Sequence, residues 1–395
     1  MRLKDITILS PQYIERGVED NVSFVPMESL RNGNIEYKTI PINQAKGKYT
    51  YFGNGDLLVA KVTPCFENGN IAIANNLLNG IGFGSSEIFV LRPSKRIISQ
   101  YLFYLSQSGD FQGKACATMC GVGGLKRISP LFMRTYELDV PSLKTQQRII
   151  TYLDTKLSEI SHQVSLLTSK RDAYLRLKKS IINHAVTHGL NPNVKMKDSG
   201  IEWIGEVPEH WELGRVKDHS NIVAGQAPAG EDVKEYGLIP FMQGKAEFTD
   251  KFPITKLFCE TCTKHSRVGD ILMSVRAPIG DINISDRIYG IGRGLCAIKS
   301  HNIDATFLWY FFMKSKDYIN SLGTGSTFLA ITTEDIKGIP IPIPPLPEQH
   351  AIATYLDDKC SKIDAIVSNL DKQISRYGDL KRALIDEVIT GKRAV

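Results

Sequence analysis

A nine-residue stretch occurs twice in this chain, and its spacing limits the folds open to it. Gln146-Gln147-Arg148-Ile149-Ile150-Thr151-Tyr152-Leu153-Asp154 returns 203 positions later as Gln349-His350-Ala351-Ile352-Ala353-Thr354-Tyr355-Leu356-Asp357. Lys156, Ser158, Ile160, Tyr174, Leu177, Lys178 and Thr187 recur at the same offset. Each copy opens a heptad pattern. Ile150, Leu157, Val164, Arg171, Lys178 and Ala185 fall every seventh residue, interleaved by Leu153, Ile160, Leu167, Tyr174 and Ile181. In the second copy Ala353, Cys360, Val367, Ile374, Lys381 and Val388 are interleaved by Leu356, Ile363, Leu370, Tyr377 and Leu384. Since 203 is a whole number of heptads, the two copies share register.

This register predicts two long helices that pair as a coiled coil. The pairing residues are Leu153, Leu157, Ile160, Val164, Leu167, Tyr174 and Ile181 on one helix, and Leu356, Ile363, Val367, Leu370, Tyr377 and Leu384 on the other. Pro141 precedes the first helix, and Pro345, Pro347 and Glu348 lead into the second. Gly189 and Gly391 sit where each should stop. Each helix should run about 40 residues, roughly 60 Å. Arg171, Lys178 and Lys381 interrupt the seam, as polar residues that fix register do. Periodicity leaves parallel and antiparallel pairing both open.

The remainder of the chain is duplicated too. Gly269-Asp270-Ile271-Leu272 and Pro278 match Gly55-Asp56-Leu57-Leu58 and Pro64 at a single offset of 214. Residues 1–140 read as short strands and loops with one helix. Val22–Glu28, the run after Gly55-Asp56 and Gly82–Leu91 are strand-like, and Ile98–Gln107 is helical, matched later by Phe307–Phe312. Residues 191–217 are polar and broken by Pro192 and Pro208, a connector whose Trp203 and Trp211 should dock on the following domain. The fold class is therefore α/β (α+β): globular domains 1–140 and 191–340, separated by helical segments 141–190 and 341–395, in a pseudo-twofold internal repeat.

Several chemistries find no support. There is no Gly-x4-Gly-Lys-Ser/Thr loop, no Gly-x-Ser-x-Gly elbow and no His-Glu-x-x-His motif. The glycines at 80, 82 and 84 and at 290, 292 and 294 precede strand-like sequence, unlike a dinucleotide fingerprint. Cys259-x-x-Cys262 with His265 offers three ligands where structural zinc wants four, so no metal is expected. His184 and His188, four apart on a helix, lack an acidic third partner. Seven cysteines at irregular spacing suit reduced thiols, and no run of about 18 apolar residues suggests a membrane segment, so a cytoplasmic location is expected. The net charge of +6 is uneven: Lys and Arg exceed Asp and Glu by five over residues 141–190 and balance over 341–395.

Two diverged modules joined by a helical rod suit recognition of a split DNA site whose halves differ, where a homodimer would read a palindrome. The chain also resembles the specificity subunit of type I restriction-modification systems. The resemblance rests on Val22–Glu28, Thr63-Pro64-Cys65-Phe66-Glu67-Asn68-Gly69, Gly82-Phe83-Gly84-Ser85-Ser86-Glu87, Trp203–Trp211 and Pro344-Pro345-Leu346-Pro347-Glu348-Gln349, and covers essentially the whole chain. It implies two target-recognition domains that each read half of a bipartite double-stranded DNA site, with the helices as spacer and docking surface for methyltransferase subunits. Those partners would supply S-adenosylmethionine and methylate adenine; motor-nuclease subunits would bring ATP and magnesium. This chain would be a non-catalytic subunit with no cofactor of its own. The Trp203–Trp211 segment lacks a counterpart before the first domain.

Base reading requires paired donors or acceptors, and phosphate contacts require Lys, Arg, Ser or Thr on loops. On that basis the DNA-binding candidates are Lys61, Thr63, Lys114, Lys126 and Arg127 in the first domain. In the second they are Gln243, Lys245, Arg276, Arg293, Ser326 and Thr327. The rivals are a fused enzyme, for which no Asp-Pro-Pro-Tyr-like motif is present, and a coiled-coil scaffold or stand-alone bipartite DNA-binding protein without a restriction partner.

Overall fold

The structure of the protein, a computed structural model, describes residues 1–13, 21–122, 124–324 and 329–395. Contacts divide it into two compact units: unit 1 is Met1–Thr168 with Asp371–Val395, and unit 2 is Ser169–Leu370. The division runs through both long helices, so each unit contains one globular part and a segment of each helix.

In unit 1 the strands of the two larger sheets are β1 (Thr7–Leu9), β2 (Asn21–Val25), β3 (Lys38–Pro41), β4 (Thr50–Gly53), β5 (Leu57–Ala60), β6 (Ile71–Ile73), β7 (Ile81–Gly84) and β8 (Ile88–Pro93). One sheet has the order β1-β8-β5-β6, antiparallel throughout. The other has the order β3-β2-β7-β4, with β2 and β7 parallel. All four residues of β5 are buried, which is why its sequence is an unbroken apolar run rather than an alternation. The strand-like run Gly82–Leu91 is two strands in different sheets: Ser85-Ser86-Glu87 turns the chain, with Ile88 N donating to Ser85 O.

The helix expected after β8 forms as α1 (Ser99–Gln107) and stops at Ser108, which is extended (ψ 148°). Ser108 Oγ accepts from Phe111 N and starts α2 (Gly109–Ala117). A short exposed hairpin follows, β9 (Cys120–Val122) with β10 (Leu125–Arg127). Beyond a single helical turn at Phe132–Thr135 comes α3 (Leu143–His188), an unbroken helix of 46 residues.

Unit 2 repeats the plan with β11 (Glu212–Arg215), β12 (Ser220–Ala224), β13 (Phe241–Met242), β14 (His265–Ser266), β15 (Ile271–Ser274), β16 (Ile282–Ile284), β17 (Tyr289–Ile291) and β18 (Leu295–Ser300). The order β12-β18-β15-β16 reproduces the first sheet of unit 1. The sheet β13-β17-β14 matches three of the four strands of the second, again with one parallel pair, β13 and β17. A single helix α4 (Ala305–Ser321) stands where unit 1 has α1 and α2. β19 (Pro340–Ile343) pairs with β11 and leads into α5 (Leu346–Ile389), 44 residues long. At ~1.5 Å per residue, α3 and α5 are each somewhat longer than the forty residues expected.

The seam residues fall on the inner faces of both helices. In unit 1, Leu153, Leu157 and Ile160 join the core with Leu384, Ile385 and Val388. In unit 2, Ile182, Ala185 and Val186 join Ile352, Leu356 and Cys360. Ile363 and Leu370 are buried, whereas Val164, Leu167, Tyr174, Ile181, Val367 and Tyr377 are half-buried. Lys178, one of the three polar seam residues, donates to both carboxylate oxygens of Asp364 at 2.7 Å and is thereby satisfied. With Gly189 lying against Glu348 further along, the helix segments of unit 2 run antiparallel. Residues 191–217 form more than a connector. Met196–Asp198 pairs with Glu206–Pro208, Trp203 stacks on Tyr318 at 4.4 Å, and Trp211 is fully buried. Among the described residues no helix is long and apolar enough to cross a membrane.

Candidate nucleic-acid interface

The duplicated Gln-to-Asp stretch explains how each globular part is fixed to its helix. Gln146 is fully buried, accepts from Ile98 N at 2.9 Å and donates to the carbonyls of Arg96 and Pro141, both at 2.9 Å. Gln349 makes two of the three equivalent bonds in unit 2, accepting from Asp304 N and donating to Pro344 O, both at 2.8 Å. Two turns on, the Tyr104 hydroxyl of α1 donates to Asp154, and the Tyr310 hydroxyl of α4 donates to Asp357 at 2.9 Å. Burial pushes both phenols above their ordinary value. A buried amide that satisfies three backbone groups is costly to replace, because any substitute leaves them unpaired. The repeat is thus a docking device that sets each sheet layer at one place on its helix.

The exposed end of each unit is built on a common backbone frame. In unit 1, Lys61 N donates to Glu87 O, Ile128 N to Lys61 O and Thr63 N to Lys126 O, at 2.9, 2.9 and 3.0 Å, and Val62 bridges Arg127. In unit 2, Val275 N donates to Gly294 O, Ile331 N to Val275 O and Ala277 N to Leu329 O, at 3.0, 2.9 and 3.1 Å, and Arg276 bridges Ala330. Both frames carry a cis proline next in the chain, Pro64 and Pro278. Hence Lys61, Val62, Thr63, Glu87, Lys126 and Arg127 occupy the positions of Val275, Arg276, Ala277, Gly294, Leu329 and Ala330. The backbone is shared, but the charged side chains stand at different points of it.

Lys61, Thr63, Lys126 and Arg127 are therefore brought together, around the exposed β9–β10 hairpin. Lys126 is exposed. Lys61 is half-buried over the Phe89 ring (4.8 Å) and donates to Ser86 O; burial lowers its pKa. Thr63 uses its hydroxyl internally, donating to Gly124 O at 2.8 Å and accepting from Lys126 N at 2.9 Å, and so shapes the hairpin. Lys114 belongs elsewhere in unit 1: it pairs with Asp110 at 2.9 Å and lies over Tyr136. In unit 2, Gln243, Lys245, Arg276 and Arg293 gather around the second frame. Gly294 N donates to Gln243 O at 3.1 Å, and Lys245 pairs with Asp281. Arg293 is exposed, while Gly292 and Gly294 on either side are buried. A Cβ on Gly292 would meet Gln243 Oε1 at 2.5 Å, so those two positions accept only glycine without a shift. Ser326 and Thr327 lie outside the described residues.

Two features escaped the sequence reading. Glu87 grips Arg127 through both carboxylate oxygens, at 2.9 and 3.0 Å, and that hydrogen-bonded guanidinium holds the carboxyl below its usual range. Nothing in its local sequence signals a partner forty residues away. The second was legible. Arg2-x-Lys4-Asp5 recurs as Arg215-x-Lys217-Asp218, and in both the aspartate accepts from the arginine backbone N–H, at 2.9 and 3.1 Å. The two globular parts therefore share that turn and run alike from it onward. Cys262 Sγ lies 3.2 Å from His265 Nε2. Among the described residues no three His, Cys, Asp or Glu groups converge on a metal site.

Comparisons with known proteins agree with this duplication. The model of the type I restriction modification DNA specificity domain matches residues 3–165 and again 208–376. A putative type I restriction enzyme MjaX specificity subunit from Methanocaldococcus jannaschii is 32% identical over 354 residues, spanning 86% of this chain and 78% of the relative. The EcoAI specificity subunit of Escherichia coli is 30% identical over 247 residues, 62% of this chain and 39% of the relative. Among solved structures, a chain of a type I R-M system superposes with a TM-score of 0.83 at 23% identity, covering 100% of this chain and 97% of that one. The HsdS subunit from Thermoanaerobacter tengcongensis gives 0.56 at 22%, covering 100% and 96%.

Proposed function

Because the chain belongs to the family of type I restriction-modification specificity subunits, we propose that it recognises a bipartite, asymmetric double-stranded DNA site, one half through each unit. The supporting observation is the pair of matched backbone frames with unlike charged side chains. A common scaffold places readers at equivalent points, and different residues on it read different bases. In this reading the paired helices α3 and α5 set the interval between the two half-sites and offer their outer faces to methyltransferase subunits. Those subunits contribute S-adenosylmethionine and the adenine methylation, and motor-nuclease subunits contribute ATP- and magnesium-dependent cleavage. The chain itself performs no chemistry and works on DNA in the cytoplasm.

Mapping methylated adenines in cells that carry the chain with its modification partner tests the proposal. Two short, unlike words at a fixed gap are expected, and one continuous or palindromic motif refutes it. Within that motif, Arg293→Ala should weaken binding by about 1–3 kcal/mol and relax one position of the half-site read by unit 2. Unaltered discrimination at every position of that half would remove Arg293 from the interface.

A further inference from the structure

Arg127 is held in a way that prepares it for one kind of contact. Glu87 takes its guanidinium from the side, with Oε2 on Nε and Oε1 on Nη2, at 2.9 and 3.0 Å. A guanidinium is planar with five N–H donors, and this grip uses one on Nε and one on Nη2. Three remain, on the Nη1 and Nη2 end. They include a parallel pair, the donor pattern that fits the O6 and N7 acceptors of guanine in the major groove. A lysine or an ungripped arginine would have to spend rotamer freedom to make the same contact. Here the side chain is already oriented.

The surroundings support a role at the surface rather than in folding. Arg127 and Glu87 side chains are 48% and 33% exposed, and exposed ion pairs add little to stability. Both residues are set by the backbone frame, Glu87 through Lys61 N and Arg127 through its bridge to Val62. Lys61 is tied to Ser86 O, which leaves Arg127 as the frame's presented fork. The equivalent described positions of unit 2 carry no such pair. Ala330 stands at the arginine position, and a Cβ on Gly294 would meet Gln243 O at 2.6 Å, so no glutamate fits there without a backbone shift.

We propose that Arg127 reads a guanine in the half-site of unit 1 and that Glu87 is its positioning residue. This rests on the bipartite reading above and adds a base, a reader and a buttress to it.

The test uses the full chain assembled with its modification subunits and a library of duplexes with randomised positions, sequencing what is retained. The wild-type complex should select two spaced words, with a guanine in the word that changes when unit 1 is altered. Arg127→Ala should lower the preference for that guanine about tenfold to a hundredfold while leaving the other positions and the second word intact. Glu87→Gln should blur the same single position by a smaller factor, and the double variant should be no worse than Arg127→Ala alone. Weaker retention of all duplexes alike, with a reduced salt dependence, would make Arg127 a phosphate contact and overturn the assignment. An unchanged motif in both variants, or a first word without guanine, overturns it as well. If the wild type itself selects no spaced pair of words, the bipartite reading has failed, a result distinct from an intact wild-type motif that the variants leave unmoved.

Discussion

The same Gly-Asp turn closes differently in the two units. In unit 1, Asp56 is almost fully buried, its carboxylate accepts from Gly53 N at 2.7 Å, and Arg92 meets it with two bonds of 2.8 and 2.7 Å. In unit 2, Asp270 accepts from Arg267 N at 2.7 Å, which reproduces the turn, but the Lys299 and Arg267 side chains act on it only as charges, without an ion-pair contact. Burial then pushes the Asp270 carboxyl above its ordinary value. The turn itself needs only an acceptor for one backbone N–H, so that feature is common to both copies. The countercharge is free to diverge, and its divergence makes one aspartate a buried ion-pair partner and the other a mild burden. Helix capture differs in a similar way. Unit 2 closes over the end of α3 with Trp211, whose Nε1 donates to Glu348 at 3.1 Å, while the end of α5 in unit 1 meets Arg393 bonded to Glu387 at 2.8 Å.

The largest effect should come from Trp211→Ala, which empties a fully buried aromatic site and should cost unit 2 about 3–5 kcal/mol. Hydrogen exchange followed by mass spectrometry should show protection lost within Ser169–Leu370 and kept in unit 1. Equal loss in both units would erase the distinction drawn between them. Next in size, Asp56→Asn should destabilise unit 1 by about 2–3 kcal/mol, since it leaves a half-buried arginine without its charge partner. Asp270→Asn should change unit 2 by less than about 1 kcal/mol, because the amide oxygen can still accept from Arg267 N. Similar denaturation shifts for the two variants would count against the contrast.

The smallest effect is a pH dependence. Asp270 has a folded pKa above its unfolded one, so the folded state retains the proton to higher pH. Its stabilising contribution is therefore present below the ordinary carboxylate value of 3.8 and is lost as pH rises through the raised folded value. The difference in unfolding free energy between the wild type and Asp270→Asn should decline across that window. A flat difference would show that Arg267 and Lys299 together compensate fully for the burial.

Much of the architecture could be read from the chain alone. The heptads with a shared register predicted α3 and α5 and their seam, and the recurrence of Gly-Asp and proline at one offset predicted two related globular parts. The expected strand over Gly82–Leu91 proved to be two because Ser85-Ser86-Glu87, which carries no glycine or proline signal, turns the chain between sheets. The first helix ends at Gln107 as its periodicity indicated, but the second helix that Ser108 starts was hidden. Its cap on Phe111 N competes with helix continuation only in a backbone conformation that tertiary packing selects. Among the candidate DNA contacts, residue type and loop position could nominate Lys126, Arg127, Arg276 and Arg293, but could not separate them from Lys114, whose partners lie elsewhere, or from Thr63, whose hydroxyl is spent on the hairpin.

Periodicity and repetition are local properties of a chain: a side chain's helical face follows from its position along it, so the duplicated plan, the paired helices and the family were already legible in the order of residues. What depended on the tertiary structure was which distant residues meet. That Gln146 and Gln349 lock each sheet layer to a helix, that the helix segments of unit 2 run antiparallel, and that Glu87 grips Arg127 across forty residues all follow from chain paths fixed by the whole core. Hydrogen bonds between groups far apart in sequence leave no period for a reader to find.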